Sequence, residues 1–215
     1  MSQPPLTPLG HPLNVPKALL KAITEEMQAN GDKKGPLKFE RPLYQLASQA
    51  IDFIAPGRQA VLDTLRRYFT HEGTCYFQLE NKELYAQQTA QWLPLHAWAQ
   101  ETLGIALVIN EGLGSCAHEQ ADVDRVVALL EAQSDLALSG LMGACSLTAS
   151  LVISLALQAG YLTGMEAFDL AYLEESFQNI HWGVDEETAA RHAQVRNQLL
   201  ILTQYFDLIK GDFHP

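Results

Sequence analysis

The sequence is short of cysteines and of basic residues, and each shortage excludes a class of protein. The three cysteines, Cys75, Cys116 and Cys145, are odd in number and irregular in spacing. This argues against a disulfide framework and favours a reducing compartment. The 14 lysines and arginines are outnumbered by 25 aspartates and glutamates, which gives a formal net charge of −11. Nucleic acids and anionic membrane surfaces are bound through basic patches, so neither is expected as a partner.

Signatures of catalysis and of cofactor binding are also missing. The turn-like segment Gly112-Leu113-Gly114-Ser115 has neither the lysine of a P-loop nor the spacing of a dinucleotide-binding loop. Cys116-Ala117-His118 is too short a cluster for a metal site, and the chain contains no GxSxG or HExxH motif. Met1 to Gly10 has no basic region followed by an apolar run, so no signal peptide is expected. We therefore expect no cofactor, no metal and no enzymatic activity.

Charge is absent from Leu136 to Gln158, a stretch long enough to span a bilayer. The segment is rich in serine and glycine, however, and it lacks the lysine or arginine flanks of a membrane span. A helix that is apolar all round can instead lie at the centre of a large core. We expect one central helix, buried on all sides and running up to Gly160, with no membrane insertion.

Apolar residues recur at helical spacing along most of the chain, which predicts a mainly α, multi-helical domain around the uncharged helix. The other predicted helices are Val15–Met27, Pro42–Ile54, Ala60–Tyr68, Glu83–Gln91, one starting at Leu93-Pro94, Glu119–Ala132, Gly164–Gly183, and one capped by Asp185 that runs to Ile209. Thr74–Leu79 is predicted to be a strand or an extended link, and Gly104–Ile109 is predicted to be a short strand. Asn30–Pro36 and Gly112–Ala117 are predicted loops.

The helix that ends at Gly183 has two distinct faces. Leu170, Leu173, Phe177 and Ile180 form one apolar stripe, while Glu175, Gln178 and Trp182 lie together on roughly the opposite side. A tryptophan beside a carboxylate and an amide, facing away from the core, is typical of a recognition surface. The alternative, which the spacing leaves open, is that Trp182 packs under the next helix.

Glu174 flanks the apolar stripe and should therefore be half-buried, which requires a partner for its charge. Arg191, Arg196 or a backbone N–H group are the partners expected within the chain, and a basic group on a bound protein is the functional alternative. An acid/base site built from Glu174, His181 and Cys145 is a further hypothesis. Two helical turns, about 10 Å, separate Glu174 from His181, so these groups would have to converge in a pocket in some other way.

Five segments match one ordered set of motifs over nearly the whole chain, from about Thr7 to Phe206. They are Pro42–Asp52 (PLxxLAxxAID); Tyr68, Cys75 and Tyr76 (Y…CY); Leu84, Gln88, Trp92, Pro94, Leu95 and Trp98 (LxxxQxxxWxPLxxW); the uncharged helix from Ser146 to Gly160; and Leu173–Gly183 with Asp185-Glu186-Glu187 (L(E/D)ExxQxxxWGxDxE). The set resembles the Atp12 family, the assembly chaperones of the F1 part of ATP synthase.

This resemblance implies an ATP-independent chaperone that binds the unassembled F1 α subunit and shields its exposed interface until β subunits replace it. The implied partner-binding residues are Glu174, Glu175, Gln178 and Trp182, with Glu175 in direct contact and Glu174 holding the helix in place. The implied structural residues are Gln88, Trp92, Pro94, Trp98, Gly183 and Asp185. We expect a bacterial cytoplasmic protein, equivalent to a matrix protein among mitochondrial relatives, and a monomer when free. A helical scaffold of unrelated role is the alternative.

The chain also departs from the family pattern. The family usually begins with a small β domain, but Leu6 to Val15-Pro16 resembles only its last piece, LxTPxGxPLxVP. We therefore expect residues 1–40 to be a residual α+β remnant with the first helix, and residues 41–215 to be the helical domain. Met27 stands in place of a family tryptophan, Phe77 and Gln87 in place of arginines, and Leu93 in place of an aspartate. These changes should alter any charge network around the CY and WxPL segments.

Overall fold

The fold is taken from a computed structural model, which describes residues 5–29, 41–110 and 117–210. The start of the chain up to Pro4, the predicted loop at 30–36, Cys116 and the predicted turn at 112–115 lie outside these ranges. In the described residues the fold is mainly helical, as predicted. The α-helices are α1 Lys17–Ala29, α2 Pro42–Gln49, α3 Arg58–Thr70, α4 Lys82–Trp98, α5 Gln120–Glu131, α6 Asp135–Thr148, α7 Leu151–Ala159, α8 Gly164–Ala171, α9 Leu173–Trp182 and α10 Glu186–Leu208.

Three short helical segments complete these elements. A π-helical turn, Ala50–Ile54, extends α2, and a second one, Ala99–Leu103, extends α4. A 3₁₀ turn, Gly73–Cys75, follows α3. Asp185 caps α10 as predicted, since its side chain accepts a hydrogen bond from the backbone N–H of Thr188 at 2.7 Å.

Helices α6 and α7 occupy the centre of the fold, and α2, α3, α8 and α10 pack around them. Leu138 and Leu141 of α6 and every residue from Leu151 to Gln158 of α7 are buried. This agrees with the lack of charge in the segment, because a helix surrounded by others has no face for solvated side chains. No helix in the described ranges is long and apolar enough to cross a membrane.

The prediction of a single uncharged helix is wrong, because the chain breaks between Thr148 and Leu151. Ala149 takes a left-handed conformation, with φ at 52°, and ends α6. Ser150 then caps α7 by accepting a hydrogen bond from the N–H of Ile153 at 2.9 Å. The buried carboxylate of Glu72 accepts bonds from the N–H groups of Leu151 and Val152, at 2.9 and 3.1 Å. These acceptors satisfy the first N–H groups of a helix that begins inside the core.

Two other predicted helix boundaries are also wrong. Pro94 does not start a new helix but lies inside α4. Leu84 and Trp92 before Pro94 and Leu95 after it are all buried, so packing on both sides outweighs the one hydrogen bond that the proline removes. The predicted helix Gly164–Gly183 is instead two helices, since Tyr172 departs from helical geometry with φ at −107° and ψ at 20°.

The two predicted extended segments do not become strands. Tyr76 of the first segment forms one isolated parallel bridge with Asn110, the residue directly after the second. In it Asn110 N donates to Cys75 O at 2.7 Å and Phe77 N donates to Asn110 O at 3.2 Å. A second isolated bridge joins Leu6 to Pro12. Within the residues described, these bridges are the β structure that is present, and the residual α+β character of residues 1–40 stays a prediction.

Candidate protein-binding site

The apolar stripe predicted for the helix that ends at Gly183 forms at three of its four positions. Leu170 of α8 and Leu173 and Phe177 of α9 are buried, but Ile180 is 79% exposed. The prediction for Ile180 is therefore wrong. The last turn of α9 extends past the helices that cover its first turns, so the apolar spacing continues after the core has ended.

The end of α9 presents a cluster of exposed apolar side chains, which we call the apolar tip and which consists of Ile180, Trp182 and Val184. Trp182 is 81% exposed and Val184 is 51% exposed. Trp182 thus does not pack under α10. Gly183 separates it from Val184 with φ at 84°, a conformation that favours glycine and turns the chain sharply here. Single exposed apolar residues are ordinary at protein surfaces, whereas three within five positions concentrate apolar surface at one end of α9.

Polar and acidic side chains surround the apolar tip. Gln178 is exposed, as the helical spacing predicts. Asp185, Glu186 and Glu187 follow Val184 directly and are all exposed. The residues that directly follow the tip in the chain are therefore negatively charged.

Glu175 makes in-chain contacts with the start of α10. Its Oε1 atom accepts a hydrogen bond from His192 Nε2 at 2.8 Å and also pairs with the guanidinium of Arg191. Arg191 lies over the ring of Tyr172, and His192 meets the same ring edge-on at 5.2 Å. The side chain of Glu175 remains 33% exposed. Glu175 therefore joins α9 to α10 while part of it still faces solvent.

Glu174 is half-buried, as predicted, but its partner is neither of the arginines that the sequence suggested. Gln88 Nε2 donates to Glu174 Oε1 at 2.6 Å. Burial raises the pKa of Glu174, and the hydrogen bonds from Gln88 and Gln78 act in the opposite direction. Arg196 instead lies over the ring of Phe168, 3.9 Å from its centroid. Glu174 therefore attaches α9 to α4.

The structural residues of the α4 motif hold neighbouring segments together. Gln88 is fully buried; its Oε1 accepts from Gln78 N at 2.8 Å and its Nε2 donates to Tyr76 O at 3.3 Å. Trp92 Nε1 donates to Leu170 O at 3.1 Å. Trp98 stacks on Tyr161 with ring centroids 5.0 Å apart. The motif thus connects α4 to the CY segment, to α8 and to the chain that follows α7.

The residues that depart from the family pattern are all uncharged, and the structure shows what surrounds them. Phe77 is buried, and its ring meets Trp92 edge-on at 5.4 Å and Tyr85 at 5.8 Å. An aromatic cluster therefore occupies the place where the family pattern has an arginine. Met27 packs against the core, Gln87 is half-buried and Leu93 is 38% exposed.

The groups of the hypothetical acid/base site do not converge. Cys145 is fully buried, its thiol donates to Ser150 O at 3.6 Å, and burial raises its pKa. His181 Nδ1 is 2.9 Å from Phe177 O in its own helix, and Glu174 is bound to Gln88. In the described part of the chain, no group of three or more His, Cys, Asp or Glu side chains could hold a metal ion.

Sequence reasoning missed Glu72 as a determinant of the fold. Its carboxylate lies in the core and caps a helix 79 residues away. The local sequence carries no signal for this contact. The sequence indicated only weakly that Ile180 and Val184 are exposed, namely by placing both within three residues of the glycine that ends α9.

The fold and the site together define a multi-helical protein with an exposed apolar and acidic surface where α9 turns into α10. The family model described as ATP12 chaperone protein matches residues 2–100. Among solved structures, Atp12 from Paracoccus denitrificans is similar over 96% of this chain and 88% of its own, with 28% identity and a TM-score of 0.89. An Asp-to-Lys variant of P. denitrificans Atp12p is 29% identical over 95% of this chain and 87% of its own, with a TM-score of 0.88.

The Atu1473 protein from Agrobacterium tumefaciens, described as a candidate chaperone, is 30% identical over 94% of this chain and 75% of its own, with a TM-score of 0.85. No curated protein matches the sequence. The chain belongs to the ATP12 chaperone family. The resemblance seen in the ordered motifs is thereby confirmed, and it identifies the protein as a relative of assembly chaperones.

Proposed function

We propose that the protein is an ATP-independent chaperone that binds the unassembled F1 α subunit and assists assembly of the F1 sector. The observation that carries this proposal is the apolar tip, in which Trp182 is 81% exposed in a protein of the ATP12 chaperone family. An unassembled subunit exposes an apolar interface that is prone to aggregate. A chaperone without a nucleotide cycle can cover such an interface with moderate affinity and be displaced by the next subunit.

The chemistry of the tip suits an apolar client surface with basic residues at its edge. Tryptophan is the residue type most enriched among those that dominate binding energy. Gln178 beside it can both donate and accept a hydrogen bond. The neighbouring carboxylates of Asp185, Glu186 and Glu187 would attract basic side chains and disfavour acidic surfaces.

Glu175 is proposed as a client contact, and Glu174 as the residue that holds α9 in place. The two in-chain partners of Glu175, Arg191 and His192, both bind Oε1. Oε2 of this partly exposed side chain is the atom proposed to accept a hydrogen bond from a basic group of the client. Glu174 has its Oε1 on Gln88 and lies half-buried, which suits a positioning role.

The test is co-purification of this chain with F1 α subunit from the same source, followed by measurement of the dissociation constant. Trp182→Ala should weaken binding by about 2 kcal/mol, or roughly 30-fold, and leave the melting temperature nearly unchanged. Phe53→Ala is the matched control, because Phe53 is 62% exposed and lies outside the tip. Glu175→Lys should also weaken binding, since it reverses the charge beside the tip.

The outcomes distinguish the two classes of function. A complex that tolerates Trp182→Ala would mean that the tip is not the contact. No complex with F1 α at all would favour the helical scaffold of unrelated role, with the tip serving another partner. The proposal also includes a cytoplasmic location and a monomeric free state, and light scattering after size-exclusion chromatography tests the latter.

A further inference from the structure

A second candidate binding site is a groove of about 230 Å³ between α2, α6 and α10. None of the three tip residues lines it. Leu46 of α2, Leu147 of α6 and Leu202 of α10 contribute apolar surface to it. Its polar lining consists of the hydroxyl of Ser146 and five side-chain amides, and we call it the amide groove after the latter: Gln45, Gln49, Gln194, Asn197 and Gln198.

The lining of the amide groove is uncharged, which is unusual for the surface of a chain with 39 charged residues, 14 basic and 25 acidic. None of the described residues that line it carries a charge. Gln49, Gln194 and Asn197 are exposed, and Gln45 and Gln198 are half-buried. A charged ligand would find no counter-charge here, whereas a neutral ligand with both donors and acceptors would find matching groups.

Gly143 lines the groove, and no close contact with the described residues requires a glycine there. At Gly140, one turn earlier in α6, an added Cβ would lie 2.5 Å from Phe206 Cε1, so packing excludes a side chain. At Gly143 the nearest atom to an added Cβ is Leu202 Cδ2 at 3.4 Å, an ordinary contact. A glycine in the interior of a helix is less favourable than an alanine. The space that this glycine leaves opens into the groove.

We propose that the amide groove binds an extended, uncharged polypeptide segment of a partner protein, mainly through its main chain. Each primary amide offers the same donor and acceptor as a peptide group, so a row of amides can pair with a backbone whatever its side chains. Along α10 the groove extends from Gln194 to Leu202, about 12 Å at ~1.5 Å per residue. That length matches three to four residues of extended chain at ~3.3 Å each. The apolar floor and Gly143 would receive the small or apolar side chains that point inward.

The test uses fluorescently labelled, end-blocked heptapeptides in which serine alternates with leucine, valine or phenylalanine, measured by fluorescence anisotropy against the full chain. At least one peptide should bind, and N-methylation of alternate peptide groups should weaken it about tenfold or more by removing main-chain donors. Replacing the apolar residues by glutamate should abolish binding. Gly143→Met should weaken binding to a similar extent because its side chain fills the groove.

Matched variants separate a blocked groove from a damaged fold. Gly143→Ala and Gln198→Leu should weaken binding with the melting temperature unchanged or raised. Ala121→Met, which adds the same side chain as Gly143→Met at an exposed position of α5, should leave binding intact. Trp182→Ala should also leave it intact, so the result does not depend on the proposal for the F1 α subunit. The inference is overturned if none of the peptides binds, if N-methylation or Gly143→Met has no effect, or if Trp182→Ala abolishes binding.

Discussion

Among single residues, Glu72 is an acidic side chain that lies in the core. Its side chain is fully buried, and it accepts hydrogen bonds from the N–H groups of Leu151 and Val152 through Oε2 and from Thr74 through Oε1. Burial raises the pKa of Glu72, and the hydrogen bonds oppose this without cancelling it. The helix N-terminus also favours a negative charge here. The balance between these effects determines how stability depends on pH.

Glu72→Gln tests that balance. Because the pKa is raised on folding, the folded state holds the proton more tightly than the unfolded state does. The stabilisation linked to this proton is present in full below about pH 4.5, the ordinary value, and is lost as the pH rises through the folded-state pKa. The amide replaces one acceptor by a donor, so Glu72→Gln should be less stable by about 1 kcal/mol at acid pH. The difference should shrink as the pH rises.

Urea denaturation at several values between pH 4 and 8 measures this difference. Glu80→Gln is the control, since Glu80 is exposed. A gap between Glu72→Gln and the parent chain that is independent of pH would contradict the prediction.

Two glycines in α6 should respond to alanine with opposite signs. Gly140→Ala places a Cβ 2.5 Å from Phe206 Cε1 and 3.2 Å from Tyr205 Cε1, inside the core. It should destabilise the protein by about 1–3 kcal/mol through overpacking. Gly143→Ala meets no such clash and should stabilise it by about 0.5–1 kcal/mol. Chemical denaturation of both variants provides the comparison, and shifts in the same direction would show that the packing around Phe206 can relax.

Among the elements, α9 is attached to two different helices by the carboxylates of two consecutive residues. Glu174 binds Gln88 of α4, and Glu175 binds Arg191 and His192 of α10. Adjacent residues of an α-helix project about 100° apart, so α9 lies in the angle between α4 and α10. These two attachments set the direction in which the apolar tip projects.

Gln88→Leu should loosen one of these attachments. It removes the hydrogen bond from Gln88 to the half-buried carboxylate of Glu174 and leaves the N–H of Gln78 without its acceptor, at a cost of about 1–3 kcal/mol. Hydrogen exchange should accelerate in α9 more than in α6. Gln87→Leu, one residue away and half-buried, is the control for the change in side-chain type.

A double-mutant cycle with Glu174→Leu measures how much of this cost belongs to the pair. We expect the two changes to be non-additive, because Glu174→Leu removes the carboxylate whose hydrogen bond from Gln88 the first change has already abolished. Additive effects would mean that Gln88 acts through Tyr76 and Gln78 rather than through α9.

The whole molecule has a continuous core that includes its N-terminal part. Leu13, Leu19 and Ile23 belong to the same buried cluster as α6 and α10. The carboxylate of Asp52 also holds the N-terminal segment, since it accepts hydrogen bonds from Thr7 Oγ1 at 2.7 Å and Leu9 N at 3.3 Å and pairs with His11 Nδ1 at 2.8 Å. The division of the chain at residue 40 stays a prediction.

Asp52→Asn should release this segment while the helices remain folded. Burial raises the pKa of Asp52, but the hydrogen bonds from His11, Thr7 and Leu9 outweigh it and lower the pKa overall. The stabilisation is therefore present above the ordinary aspartate pKa of 3.8 and is lost as the pH falls through the lower folded-state value. Limited proteolysis and hydrogen exchange of residues 5–13 measure the release. Protection equal to that of the parent chain would show that the buried Leu13 and the hydrogen bond from the Tyr44 hydroxyl to Leu6 O, at 2.8 Å, suffice to hold the segment.

The local sequence determined where most helices form, because hydrophobic periodicity, proline and capping residues act within a few positions. It predicted the buried stripe at Leu170, Leu173 and Phe177, the cap at Asp185 and the outward side of α9 that carries Trp182. The ordered motifs also identified the family, since their spacing extends over nearly the whole chain.

Only the tertiary structure decided where the uncharged segment breaks, whether α4 continues through Pro94, and which side chain forms a hydrogen bond with Glu174. Each outcome depends on a contact between distant positions: Glu72 lies 79 residues from the helix that it caps, and Gln88 lies 86 residues from Glu174. The extent of burial along α9 also depends on distant parts of the chain. The apolar stripe continues to Ile180 in the sequence, but the surface that covers Leu173 and Phe177 does not reach that far. Periodicity states which residues share a face, and only the packing of the other helices determines how far along the helix that face is covered.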